Sequence, residues 1–176
     1  MKKFKIIIII CFISFLKTTN SYSLIEIDIT RGNLNPLPMA VSPLFQDKKS
    51  IKESQKKLKL DDVGSEISKV IENNLKQSGL FNPLSKDSFI QKPDIAHLKP
   101  RFEDWSLIKA QALITGKVLI EKEKLKVEFR LWDVLAGREM LALAFTTVPS
   151  NWRRVGHIIT DKVYERLTGE KGYFDT

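Results

Sequence analysis

Between Lys124 and Asp133 apolar and polar side chains alternate without a break. Leu125, Val127, Phe129 and Leu131 fall on one side; Lys126, Glu128 and Arg130, with Trp132, fall on the other. A period of two belongs to a strand with one covered and one wet face, so this segment is predicted as a half-buried strand. Residues 112–120 are apolar almost throughout, with Gly116 and Lys117 as exceptions, and read as a central strand covered on both faces. Ala136-Gly137-Arg138 is a turn, and residues 140–148 return as the next strand, completing a three-strand meander. Residues 24–29 alternate as well: Ile25, Ile27 and Ile29 point one way, Leu24, Glu26 and Asp28 the other. That is another half-buried strand, closed by the turn-like Thr30-Arg31-Gly32-Asn33. Residues 38–45 form a short strand whose prolines, Pro38 and Pro43, suit an edge or a distorted position. Phe89 and Ile90 suggest one more short strand.

Two segments carry the helical period. In residues 61–78, Val63, Ile67, Val70, Ile71 and Leu75 line one face. Asp61 or Asp62 caps the start, Glu66 suits the positive dipole end, and Gly79 provides a left-handed exit. Leu80 then lands beside Leu75, and Pro83 forbids resumption of the helix. In residues 152–167, Trp152, Val155, Ile159, Val163 and Leu167 make a stripe widened by Ile158 and Tyr164. Ser150 or Asn151 caps this helix after Pro149, and Gly169 ends it. Residues 102–110, with Trp105, form a short helix over the core, and residues 93–100 form a loop. Residues 46–60, rich in Lys, Ser and Gln with few apolar anchors, read as a long loop inside the domain. The predicted fold is α+β: a short mixed or antiparallel sheet with two main helices packed on one face.

The first 23 residues change the charge and compartment. Lys2, Lys3 and Lys5 precede an apolar run from Ile6 to Leu16, and Ser21-Tyr22-Ser23 supplies small residues at a cleavage site before Leu24. That is the pattern of a secretory signal peptide, and it predicts export. The run falls short of the ~20 residues a comfortable span needs; the alternative is a membrane-anchored α+β accessory protein that keeps this helix. Cys11, the only cysteine, lies inside the run without the small residues a lipoprotein cysteine requires. Cleavage removes it, so disulfide and thiolate chemistry are not expected. Cleavage also removes four lysines and no acid, lowering the formal charge of +8 by four. The remainder has no long basic stripe with interleaved aromatics, so nucleic acid is not an expected partner.

The inventory of reactive groups is thin. His97 and His157 are the only histidines, sixty positions apart, with no spacing that predicts a metal site. His97 reads as an exposed loop residue, and His157 as one that packs beside the helix stripe or bonds a nearby carboxylate. No GxSxG, phosphate loop or GxGxxG occurs, and no cofactor is predicted. Glu121 and Glu123, with Lys122 and Lys124, form a polar hairpin tip, and Asp161 reads as a surface ion-pair former. A small-molecule substrate and an enzymatic reaction are not expected. Arg153, Arg154 and His157 sit in the first two turns of the last helix, where cations oppose the dipole. They predict an acidic neighbour or a docking surface there.

The segment Trp152-Arg153-Arg154-Val155-Gly156-His157, continuing through Asp161, Tyr164, Leu167-Thr168-Gly169 and Gly172-Tyr173-Phe174, resembles the junction between the N-terminal α/β domain and the β-propeller of the TolB family. Ile67-Ser68 through Leu75, Ser78-Gly79-Leu80-Phe81, Trp105, Thr115-Gly116-Lys117-Val118 and residues 127–133 are similar to that domain too, in order. The resemblance implies a domain over residues 24–170, with residues 171–176 opening a linker to a propeller that this sequence lacks. It implies a periplasmic protein-binding module of the Tol-Pal system, supporting outer-membrane integrity and constriction during division. In the family the mature N-terminus engages the C-terminal domain of TolA; here that stretch is Leu24, Ile25, Glu26, Ile27, Asp28, Ile29, Thr30 and Arg31. The propeller makes the contact to Pal, so Pal is not an expected partner of this stretch alone. A strand begun at Gly172–Thr176 and left unpaired would leave Tyr173 and Phe174 exposed and favour self-association.

Overall fold

A computed structural model describes residues 25–27 and 35–176. Six strands form one mixed sheet: β1 (Leu37–Val41), β2 (Phe45–Gln46), β3 (Phe81–Pro83), β4 (Ala112–Glu121), β5 (Lys124–Asp133) and β6 (Arg138–Thr147). Their order across the sheet is β3-β1-β4-β5-β6, with β2 also pairing β4. The β1, β2 and β3 pairings are parallel, whereas β4, β5 and β6 form the expected antiparallel meander. The helices are α1 (Lys48–Leu58), α2 (Val63–Gln77), α3 (Pro93–Ala96), α4 (Phe102–Leu107) and α5 (Trp152–Thr168).

The period-two and period-3.6 patterns meet on one face. Leu125, Val127, Phe129 and Leu131 of β5 pack with Ile67, Ile71 and Leu75 of α2 and Val155, Ile159 and Val163 of α5 in the main core. The two long helices therefore lie on one face of the sheet, as expected. Asp62 caps α2, its carboxylate accepting from the Ser65 N–H at 3.1 Å. Gly79 and Gly169 take the left-handed conformation past their helices, at φ 75° and 76°. The opposite face carries a smaller cluster in which Trp105 of α4, Ala96 of α3 and Val134 cover Ala40 and Leu113. There Gln91 accepts from the Trp105 indole N–H at 3.0 Å and donates to the Lys99 carbonyl at 2.9 Å.

Several expectations are corrected. Residues 46–60 are not a loop; they contain α1, which is amphipathic in an unusual way. Its inward face carries two fully buried serines rather than leucines. The Ser54 hydroxyl accepts from the Gln46 side chain at 2.6 Å, and the Ser50 hydroxyl accepts from the Ile120 N–H at 3.2 Å. The helix thus satisfies backbone that β2 leaves uncovered on β4. Its start is capped by Asp47, which accepts from the Ser50 N–H at 2.7 Å.

β1 is interior rather than an edge. Pro38 is tolerated because the β1–β4 ladder begins at Met39↔Ala112, so its missing donor faces the mouth of that ladder. Its carbonyl still accepts from the Gln111 N–H at 2.9 Å. Pro43 falls in the break between β1 and β2. Phe89 and Ile90 form no strand; the short strand is β3, eight residues earlier. The 93–100 stretch contains α3, with Pro93 at its first turn. His97 ends that helix buried, 8% exposed, with its ring stacked on Phe45 at 4.5 Å and its Nδ1–H donating to the Pro93 carbonyl at 3.0 Å. Asn151 holds the N-cap position of α5 but its side chain makes no capping bond: a 3-10 turn at Pro149–Asn151 runs into the helix, and the Asn151 amide donates to Thr147 at 3.1 Å. Residues 172–176 form no strand.

Candidate protein-binding site

The residues singled out at the N-terminus separate into two groups. Leu24, Asp28, Ile29, Thr30 and Arg31 lie outside the described residues, as do residues 1–23. Ile25, Glu26 and Ile27 are described and belong to no strand ladder. The predicted strand at this point is instead a segment seated on α5. The Ile27 N–H donates to the Leu167 carbonyl at 2.7 Å, taking one of the carbonyls a helix end leaves without an intrahelical partner. Ile25 and Ile27 pack half-buried against the main core while Glu26 is exposed.

The C-terminal stretch seats on the same helix. Asp161 forms no ion pair among the described residues, contrary to expectation; its carboxylate receives two backbone donors. Phe174 N–H reaches Oδ1 at 2.8 Å and Asp175 N–H reaches Oδ2 at 3.1 Å. Gly172 makes this approach possible, since a Cβ there would lie 2.2 Å from Asp161 Oδ1. Tyr164 packs edge-on against Phe81, Tyr173 and Phe174, with centroids 6.2, 5.6 and 6.0 Å away. Burial, aided by Tyr173 and Glu170, pushes its phenol above the usual value. Phe174 packs against the main core, whereas Tyr173 stays 57% exposed.

Arg153, Arg154 and His157 each meet a different neighbour. The Arg153 guanidinium lies 4.3 Å over the Trp152 ring. Arg154 pairs with Asp175, its Nε 3.0 Å from Oδ1, which supplies the anticipated acidic neighbour and raises the guanidinium's affinity for its proton. His157 turns toward α2 and bonds Asn74, an amide rather than a carboxylate. The hydrogen bonds fix its tautomer. The Thr160 hydroxyl donates to the Gly156 carbonyl at 2.8 Å, so its oxygen accepts from the Asn74 NH₂ at 3.2 Å. The same NH₂ faces His157 Nδ1 at 2.8 Å; that nitrogen accepts, and the proton sits on Nε2.

Elsewhere, a cavity of about 1000 Å³ lies between α1 and the β4–β5 hairpin, lined by Lys49, Glu53, Glu121, Lys122, Glu123 and Lys126 among others. Its acids are paired: Lys49 lies 3.6 Å from Glu121, and Lys57, outside the lining, pairs with Glu123 at 2.7 Å. No group of three or more potential metal ligands occurs among the described residues. No helix among them is long and apolar enough to cross a membrane.

Residues 25–140 match the TolB amino-terminal domain family. Over 156 residues the chain is 77% identical to the Tol-Pal system protein TolB of Pelagibacter ubique (strain HTCC1062), covering 89% of this chain and 35% of that protein. The chain therefore spans about a third of the length of this relative. Among solved structures, TolB from Acinetobacter baumannii superimposes with a TM-score of 0.63 at 21% identity, covering 80% of this chain and 30% of that one. At that identity the likeness concerns the fold.

Proposed function

Because the chain belongs to the TolB amino-terminal domain family, we propose that it is a protein-binding module of the Tol-Pal system, acting in the periplasm after export and without a reaction of its own. Its role there is support of outer-membrane integrity and of constriction during division. Its partner is the C-terminal domain of TolA, engaged through residues 24–31.

The supporting observation is the shallow seat of Ile25–Ile27. One backbone hydrogen bond to Leu167 contributes about 1 kcal/mol. Two half-buried isoleucines contribute about 1–1.5 kcal/mol each, half the value of full burial. Ordering three residues costs about 1–2 kcal/mol apiece. Gain and cost nearly cancel, so the segment exchanges readily between its seat and a partner. An extended stretch with alternating isoleucines is suited to adding itself to an exposed sheet edge, where backbone bonds give affinity and alternate side chains give specificity.

The test is calorimetric titration of the C-terminal domain of TolA into the purified chain and into a variant lacking residues 24–31. The expected result is binding to the first and none to the second. Undiminished binding to the shortened form refutes the assignment. Ile27→Asp in the intact chain separates recognition from folding: it should weaken binding at least about tenfold while leaving the melt of the domain in place.

A further inference from the structure

Among the described residues, the edges of this sheet are treated differently. β3 is three residues long and ends in Pro83, a short edge without a donor at its last position. β4 beyond its pairing with β2 is closed by α1, through the Ser50 hydroxyl on the Ile120 N–H. β6 is ten residues long and, among the described residues, pairs only with β5. Between Met140 and Thr147 it carries no charge and no proline.

The pairing pattern identifies its outward groups. Ile120 N–H points away from β5, so the odd residues of β4 bond β5, and the odd residues of β5 bond β6. Leu141, Leu143 and Phe145 consequently turn their backbone toward β5, whereas Ala142, Ala144 and Thr146 turn theirs outward. Met140 agrees with this, since its outward carbonyl accepts from Arg166 Nε at 3.2 Å. The outward N–H and C=O groups of Ala142, Ala144 and Thr146 have no partner among the described residues.

The side chains along this edge are unfinished too. Leu131, Phe129 and Val127 of β5 are 0, 1 and 0% exposed. Their neighbours Leu141, Leu143 and Phe145 face the same core and are only half-buried, because no described strand lies beyond them.

We infer that β6 pairs antiparallel with β6 of a second copy of this chain, about a two-fold axis at Leu143. This register sets Leu143 opposite Leu143, Leu141 opposite Phe145 and Ala142 opposite Ala144. Every core-side position then meets an apolar one, and the outward backbone groups of Ala142 and Ala144 exchange their bonds with those of the other copy. Neither register centred on an alanine does this: centring on Ala144 sets Leu141 against Thr147, and centring on Ala142 sets Phe145 against Glu139. On the other face the alanines leave room for close approach. The contact is small for a stable dimer, which typically buries well over ~1,000 Å². Pairing is therefore weak, fast and dependent on concentration.

Sedimentation velocity of the purified chain from about 10 μM to about 0.5 mM should show a monomer–dimer equilibrium within that range. Two double variants at exposed positions read the register. Ala142→Lys with Ala144→Lys places like charges opposite one another and should weaken dimerisation by at least about tenfold. Ala142→Glu with Ala144→Lys places opposite charges across the same pair and should retain the dimer, more tightly at low salt. Circular dichroism and the thermal melt confirm that both fold. A wild-type chain that stays monomeric at the highest concentration overturns the proposal and leaves the edge to some other strand. Loss of the dimer in both variants, or in neither, overturns it as well.

Discussion

Where α2 and α5 cross, Gly156 meets Val70, and replacing this glycine by alanine should loosen the whole helical layer. A Cβ at 156 would lie 2.8 Å from Val70 Cγ1, 3.0 Å from Val70 Cβ and 3.5 Å from the Ile67 carbonyl oxygen. Val70 cannot swing aside, because a β-branched side chain in a helix has one strongly preferred rotamer. Either that rotamer is abandoned or the helices separate by several tenths of an ångström. Separation would stretch the Asn74 bonds to His157 and Thr160, which tie the same two helices one turn further on. Overpacking of this kind costs about 1–3 kcal/mol, and the gain in helix propensity returns up to about 1 kcal/mol. Gly156→Ala should therefore destabilise by about 1–2 kcal/mol, read as a lower urea midpoint at constant slope and a melt lowered by roughly 2–8 °C for a chain of this size. The mechanism is tested by a cycle with Val70→Ala, which removes the obstructing methyl groups. In that background the Gly156→Ala cost should fall to about zero or become a gain. A single variant as stable as the wild type, or an equal loss in both backgrounds, refutes the reasoning.

Two further outcomes follow from the polar contacts. Ser50→Ala should cost about 1–3 kcal/mol in urea unfolding, because it strands the buried Ile120 N–H, whereas Lys52→Ala on the outer face of the same helix should stay within about 0.5 kcal/mol; equal effects would show that the serine face is not what holds α1. Asp47 and Glu128 both hold their protons less tightly than ordinary carboxylates, the first chiefly through the Ser50 N–H and the second chiefly through the Lys126 ammonium. A lowered folded value means stability present above the ordinary carboxylate range and lost as pH falls through it. Asp47→Asn with Glu128→Gln should flatten the acid side of the stability profile, and an unchanged acid limb would reject the assignment.

The meander and the two long helices were legible because one face of each is buried against a large apolar partner. Under that condition the period in the sequence reports the geometry directly, as in the Lys124–Asp133 strand. α1 was not legible, for a definite reason. Its inner face is Ser50 and Ser54, chosen to hydrogen-bond a strand edge and the Gln46 amide rather than to fill volume. A hydropathy pattern sees mostly lysine, glutamine and serine, with Ile51 and Leu58 as the apolar positions. The available signal was Asp47 three positions before Ser50, a cap followed by lysines in the last turn. The burial of His97 is illegible for a related reason: the aromatic ring it stacks on, Phe45, is far along the chain.

The N-terminal stretch shows why alternation cannot by itself distinguish folding from recognition. Any extended segment that covers one side of itself must alternate, whether the cover is a neighbouring strand, a helix end or another protein. Ile25 and Ile27 do so against α5, with one backbone bond among the described residues, to Leu167, in place of a ladder. A strand committed to its own sheet would exchange bonds along its length and bury its isoleucines fully; the described residues Ile25–Ile27 do neither. On the binding proposed above, the same sequence pattern would serve both a weak internal seat and a stronger external one. The difference in backbone bonds would select between them: one to Leu167 on α5 among the described residues, several along an exposed strand.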